Sequence, residues 1–147
     1  MKIMFLDIDG VLNSAMGKGP YISDMEVEKL ILLKDLLYRS GVSGIVITSD
    51  RRYSKIDIIH KETAFEEYNI KVLGLTRFPN ENDLEDNRGK QIMDYLVNSE
   101  EEIDKMLILD DMDDGISSLF GEEFILVNRV FGLDENVCSK AFAILNG

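Results

Sequence analysis

Cysteine, histidine, positive charge and long apolar runs are all scarce in this chain of 147 residues, which holds one cysteine and one histidine. A single cysteine excludes any disulfide within the chain. Cys138 falls in an apolar helical pattern near the C-terminus and has no histidine to pair with, so it reads as a packed thiol rather than a nucleophile. His60 lies mid-helix without metal-ligand neighbours and reads as a surface or packed residue. No stretch approaches the roughly 18 apolar residues a membrane span needs, and Lys2 is followed at once by a strand ending in acids, unlike a signal peptide. A cytoplasmic protein with no membrane partner is expected. Lysine and arginine total 16 against 28 acids, a formal charge of -12. That balance argues against a protein that grips nucleic acid along its whole surface, because such binding needs cations facing phosphates. Any such contact has to be local. The acidic runs Glu81 to Asp86 and Glu100 to Asp104 read as solvated loops.

What is present is a core. Hydrophobic residues make up 45% of the chain, enough for one ordinary domain spanning residues 1–147. There are no repeats, low-complexity tracts or linkers. Strand and helix signals alternate. Ile3 to Leu6 is a strand, and Ser23-x-x-Glu26 is a capping box for a helix with Val27, Leu30, Ile31, Lys34 and Leu37 on one face, ending near Ser40-Gly41. Val42 to Thr48 is the second strand; Ser54-x-x-Asp57 opens a helix to about Tyr68; Ile70 to Leu75 is the third strand. After a polar loop, Asn87 caps a helix with Ile92, Met93, Leu96 and Val97 on one face. Met106 to Leu109 and Phe124 to Val127 are the last strands, and Asp134 to Leu145 the last helix. Alternation of this kind implies a parallel sheet covered on both faces, a three-layer α/β/α sandwich with five strands.

Every unusual polar cluster then falls at the carboxyl end of a strand or the start of a helix. The first strand runs into Asp7, Asp9 and Gly10, the second into Thr48-Ser49-Asp50-Arg51-Arg52, and the fourth into Asp110-Asp111-Met112-Asp113-Asp114. A helix opens on Arg88-Gly89-Lys90. Open parallel sheets bind ligands at that edge, and paired carboxylates there need a cation or substrate to justify them. Gly10 allows the sharp turn after the first pair. Two other acidic sites fit poorly. An EF-hand loop over Asp110 to Gly121 would have Met112 and Gly121 at ligand positions and a strand in front of it. A phosphorylation-receiver domain needs its acceptor aspartate after the third strand, where the chain has Gly74-Leu75-Thr76.

In order along the chain, Asp-x-Asp, a Thr or Ser after the second strand, a basic residue and an acidic pair resemble the four motifs of the haloacid dehalogenase (HAD)-like hydrolases, mostly Mg-dependent phosphotransferases. More narrowly, Phe5 to Asn13, Ile45 to Arg52, Asn87 to Ile92 with Tyr95-Leu96, Ile108 to Asp111 and Phe131-Gly132-Leu133 resemble the compact HAD domain of Swiss Army Knife RNA repair proteins. That branch is similar in its core to polynucleotide kinase-phosphatase phosphatase domains. The branch often has Thr-Ser-Ser-Trp-Arg after the second strand; here Asp50 and Arg51 stand in place of Ser and Trp, and Arg52 matches the final Arg.

The resemblance implies a Rossmann-like sheet with the fourth strand beside the first, gathering Asp7, Asp9, Asp110 and Asp111, with Asp114 a further candidate, around one divalent cation. Oxygen-only donors favour Mg. Phosphoryl transfer then assigns Asp7 as nucleophile, forming an aspartyl-phosphate, and Asp9 as acid and base. Thr48 and Ser49 offer hydroxyls to phosphoryl oxygens, and Gly10 lines the same turn. Arg88 is the expected basic residue, with Lys90 second; a phosphate there gains from side-chain charge and from free helix-start amides. Arg52 is a candidate phosphate clamp. Short insertion points leave no room for a cap, only a flap around Pro20. The leading expectation is a Mg-dependent phosphomonoesterase acting on a phosphorylated substrate such as a nucleic-acid or nucleotide end. The alternatives are a small-metabolite phosphatase and a non-catalytic binding subunit keeping the same fold.

Overall fold

Side chains on a strand point alternately to opposite faces, so an apolar run must fill two cores at once. Ile3 to Leu6 does this: Met4 and Leu6 enter one core, Ile3 and Phe5 the other. Leu107 and Leu109 likewise face one side and Ile108 the other. This computed structural model describes residues 1–14, 25–49 and 55–147, with the backbone alone over 55–60. Its strands are β1 (Lys2–Leu6), β2 (Val42–Ile47), β3 (Val72–Leu75), β4 (Lys105–Asp110) and β5 (Phe124–Leu126). Its helices are α1 (Val27–Ser40), α2 (Lys55–Glu67), α3 (Arg88–Asn98), α4 (Ile116–Phe120) and α5 (Glu135–Asn146). The five strands form one parallel sheet in the order β3-β2-β1-β4-β5. The first core is closed by residues of α1, α2 and α5, including Leu33, Phe65 and Leu145; the second is closed by Ile92 of α3 and by Ile116 and Phe120 of α4. Helices on both faces make the three-layer α/β/α sandwich expected from the alternation.

The differences from the sequence reading concern phase. α1 begins at Val27 with Glu26 as its N-cap and no side-chain cap. The Ser23-Glu26 capping box would put Glu26 three residues inside the helix, whereas Glu26 is itself the N-cap; its carboxylate accepts from the Ser14 hydroxyl at 3.4 Å. Leu30, Leu33, Leu36 and Leu37 turn inward, while Val27 and Ile31 stay 58% and 54% exposed. In α3, Val97 is 74% exposed and Tyr95 faces inward, its ring meeting Phe5 edge to face with centroids 5.6 Å apart. An apolar stripe wider than the available contact leaves its margin in water, and the contact, not the stripe, sets the phase. α4 was not anticipated, since five residues carry too little periodicity to register.

The Glu81 to Asp86 run is not simply a solvated face. Arg77 bonds Asp86 through two nitrogens at 2.8 and 2.9 Å and Asp94 at 2.5 Å. The Asp86 side chain is 3% exposed, and the guanidinium holds its carboxyl below the ordinary carboxylate range. Arg77 therefore ties the loop 76–87 down onto α3. The described residues between β2 and α3 form only α2, β3 and this loop. Ser23, Ser54 and the flap around Pro20 lie outside the described residues, as does the His60 side chain.

Candidate active site

The parallel ladders run one residue past the strands, and this lines up the loop starts. The Thr48 amide donates to the Leu6 carbonyl (3.0 Å), the Asp7 amide to Leu109 (3.0 Å), the Thr76 amide to Ile47 (3.1 Å) and the Val127 amide to Asp110 (2.8 Å). Because β1 is central between β2 and β4, Thr48, Asp7 and Asp110 stand side by side at the carboxyl edge. All three are buried, at 0%, 4% and 0% exposure. Asp7, Asp110 and Asp111 each bring a carboxylate oxygen within 4.8 Å of the others. The turn that follows Asp7 needs glycine twice over: Gly10 has φ +83°, and a side chain there would collide with the Asp111 carboxylate.

Arg88 joins this group from the second core. Its guanidinium lies 2.7 Å from Asp110 Oδ2 and 3.8 Å from Asp7 Oδ1, with the side chain 6% exposed. Lys90, the second candidate, is half-buried on the outer part of the same helix turn and makes no ion pair among the described residues. The expectation of free amides at that helix start does not hold. Asp114 accepts from the Arg88 amide through its carboxylate (3.0 Å) and from the Gly89 amide through its carbonyl (3.0 Å). Asn87 accepts from the Lys90 amide through its side chain (2.8 Å) and from the Gln91 amide through its carbonyl (3.1 Å). With its first amides satisfied by protein, the helix start serves to place Arg88. Asp114 is thereby drawn to α3 and away from the three clustered carboxylates.

Electrostatics follow from burial. Desolvation pushes the Asp7 carboxyl far up from its usual value, aided by the nearby charges of Asp110 and Asp111; Arg88 opposes this. Asp110 is also raised, chiefly by burial, and Arg88 restrains the rise. Like charges this close ionise together only when a cation sits among them. A set of carboxylate oxygens and no nitrogen or sulfur suits a hard divalent ion, so the residues fit Mg.

Asp9 is not one of the three clustered carboxylates; it is half-exposed, with Oδ1 accepting from Asn13 Nδ2 at 3.0 Å. Asn13 Oδ1 in turn accepts from the Gly10 amide at 2.9 Å, and the residue is 2% exposed. Asn13 is a part of the site that residue-by-residue reading missed. Its signal was the Asp-Gly-x-x-Asn spacing, since asparagine readily closes such a turn with its side chain. Ser49 is buried beside Thr48. Arg52, Asp50 and Arg51 lie outside the described residues. Cys138 is a half-buried thiol pushed up to about 11 by burial and by nearby carboxylates, which suits a packed residue.

A parallel sheet in this order, with an acidic cluster and an arginine at the carboxyl end of its central strand, defines a HAD-type hydrolase fold. Over residues 3–138 the chain matches the family described as the HAD domain in Swiss Army Knife RNA repair proteins, and it belongs to that family. No curated protein and no solved structure matches it.

Proposed function

We propose that the protein is a Mg-dependent phosphomonoesterase that works through an aspartyl-phosphate on Asp7 and acts on phosphorylated nucleic-acid ends. The observation that carries this is the buried Asp7 at the tip of the central strand, with oxygens of Asp110 and Asp111 within 4.8 Å and the Arg88 guanidinium 3.8 Å away. Bound among Asp7, Asp110 and Asp111, the cation supplies positive charge that keeps Asp7 ionised and balances the transferring phosphoryl group.

An Asp7 oxygen attacks phosphorus in line as the ester oxygen departs, and Asp9 gives that oxygen its proton. Asp9 then takes a proton from water, whose oxygen displaces Asp7 from phosphorus and releases phosphate. Asn13 holds the Asp9 carboxyl toward one orientation through both steps. Thr48 and Ser49 offer hydroxyls to the phosphoryl oxygens. Arg88 neutralises Asp110 so that Asp7 does not face two bare charges. The family's association with RNA repair proteins supports a nucleic-acid end over a sugar phosphate.

The test is a substrate panel with and without Mg: an aryl phosphate, mononucleotides, sugar phosphates and oligonucleotides bearing a 3'- or 5'-phosphate. Turnover that needs Mg and falls by about 10³-fold or more in Asp7→Asn is expected. Turnover confined to sugar phosphates would leave a metabolite phosphatase, and none on any ester would leave a binding scaffold.

A further inference from the structure

The segment 127–133, between β5 and α5, takes no part in the chemistry described above, yet both its ends are fastened to the site. The Val127 amide donates to the Asp110 carbonyl and the Leu133 amide to the Val11 carbonyl, each at 2.8 Å. One bond is to a clustered aspartate, the other to the turn that follows Asp7. The side chains of Val127 and Leu133 are buried, at 1% and 0% exposure. Between these anchors the chain is tightly closed: the Asn128 carbonyl accepts from the Phe131 and Gly132 amides (3.1 and 2.8 Å), and its side chain accepts from Val130 (2.9 Å). Gly132 has φ +68°, and a Cβ there would lie 2.7 Å from Lys29 Cε and 2.9 Å from the Val11 carbonyl, so the turn sits hard against the Asp7 loop.

The tip of this rigid turn presents two groups to water. The Phe131 ring is 55% exposed. Arg129 is exposed and has no carboxylate partner among the described residues, whereas Arg39, Arg77 and Arg88, the other arginines among them, each pair with an aspartate. In a chain of formal charge -12 a guanidinium with no carboxylate beside it is a local exception among the described residues. An aromatic face and a free arginine two residues apart match what a nucleotide strand offers in succession, a base and a phosphate.

We propose that the Arg129–Phe131 turn is the element of this site that reads the substrate, Phe131 stacking on the base beside the scissile phosphate and Arg129 pairing with the adjoining phosphate of a single strand. This rests on the phosphatase reading above, and the test separates the two. With Mg present, kcat/KM is measured on p-nitrophenyl phosphate and on a terminally phosphorylated trinucleotide for wild type, Phe131→Ala, Phe131→Tyr and Arg129→Ala. The trinucleotide-to-aryl ratio is expected to fall about tenfold in Phe131→Ala and to recover in Phe131→Tyr. Arg129→Ala is expected to lower the salt slope of log(kcat/KM) on the trinucleotide by about one. A ratio unchanged within about twofold in Phe131→Ala overturns the proposal while leaving the phosphatase standing. If wild type hydrolyses no ester, anisotropy of a dye-labelled trinucleotide decides the turn alone: affinity that weakens in Phe131→Ala upholds it, and absent or unchanged affinity overturns it.

Discussion

Asp7 and Asp9 are two residues apart, but Asp9 already lies in the turn that follows β1, so their side chains meet different surroundings. Asp7 is buried among carboxylates, while Asp9 is half-exposed and held by Asn13. That division suits a nucleophile beside a proton carrier. Asp9→Asn is expected to cost on the order of 10²-fold with a poor leaving group and much less with an activated aryl phosphate, because only the former needs its proton. Equal losses on both substrates, measured as kcat, would count against Asp9 as acid. Asp110 and Asp111 also differ. Asp111 is half-exposed and its charge disfavours ionisation of both Asp7 and Asp110, so in the cation-free protein Asp111→Asn should relieve repulsion. A gain of about 1 kcal/mol, or roughly 2–4 °C in Tm, is expected. Asp110→Asn should instead destabilise, because it leaves the buried Arg88 guanidinium without its 2.7 Å partner. The pH dependence has a definite sign. Asp7 holds its proton in the cation-free folded state at pH values where the unfolded chain, whose aspartate titrates at its ordinary value of 3.8, has lost it. The contribution is present below that value and is lost as pH rises above it, so chelated protein should melt at lower temperature toward neutral and alkaline pH. A cation-free Tm that climbs over that range would contradict the assignment.

At the scale of elements, the junction between α3 and the loop 110–115 decides where Arg88 goes. Gly89 packs on the Gly115 carbonyl, and Gly115, with φ +73°, packs on the Asn87 side chain. Neither glycine leaves room for a Cβ. Gly89→Ala should therefore push α3 off this loop, costing about 1–3 kcal/mol. It should also lower turnover by withdrawing Arg88. Gly41 offers the contrast: it ends α1 at φ +69° with open space around it. Gly41→Ala should cost about 1–2 kcal/mol in backbone strain and leave turnover unchanged. Thermal melts and aryl phosphate kinetics on the pair check this, and equal turnover in both would remove the positioning role from the junction. Asn87 as a cap was legible, because a capping residue and the helix it opens are neighbours in sequence. Asp114 as a partner of the Arg88 amide was not, since the two are 26 positions apart and meet only through the sheet order.

For the whole molecule, the acidic surplus has two consequences. Among the described residues no helix is long and apolar enough to cross a membrane, and the repulsion concentrated at the carboxyl edge should make stability respond to divalent ions. Mg at about a hundred times its dissociation constant should stabilise by about 2.7 kcal/mol. The Tm should rise by several degrees, and the rise should shrink in Asp111→Asn. A melt indifferent to Mg, with activity indifferent to chelator, would defeat the metal site. The surface cations also look different once folded: Arg77, on the loop after β3, is consumed by Asp86 and Asp94, while Arg129 pairs with no carboxylate among the described residues.

Local spacing was enough to determine the order of the strands and of every helix but α4, the parallel sheet, and the placing of Asp7, Asp9, Thr48, Arg88, Asp110 and Asp111 at element ends. Those features depend on residues within a few positions of one another, through period, caps and turns. Only tertiary structure decided that Arg88 rather than Lys90 reaches the carboxylates, that Asp114 serves α3 instead of the cluster, that Val27 and Ile31 face water, and that the 127–133 turn is fastened to both Asp110 and Val11. Each of these is a choice among chemically similar residues made by contacts between segments far apart in the chain, which no local pattern records.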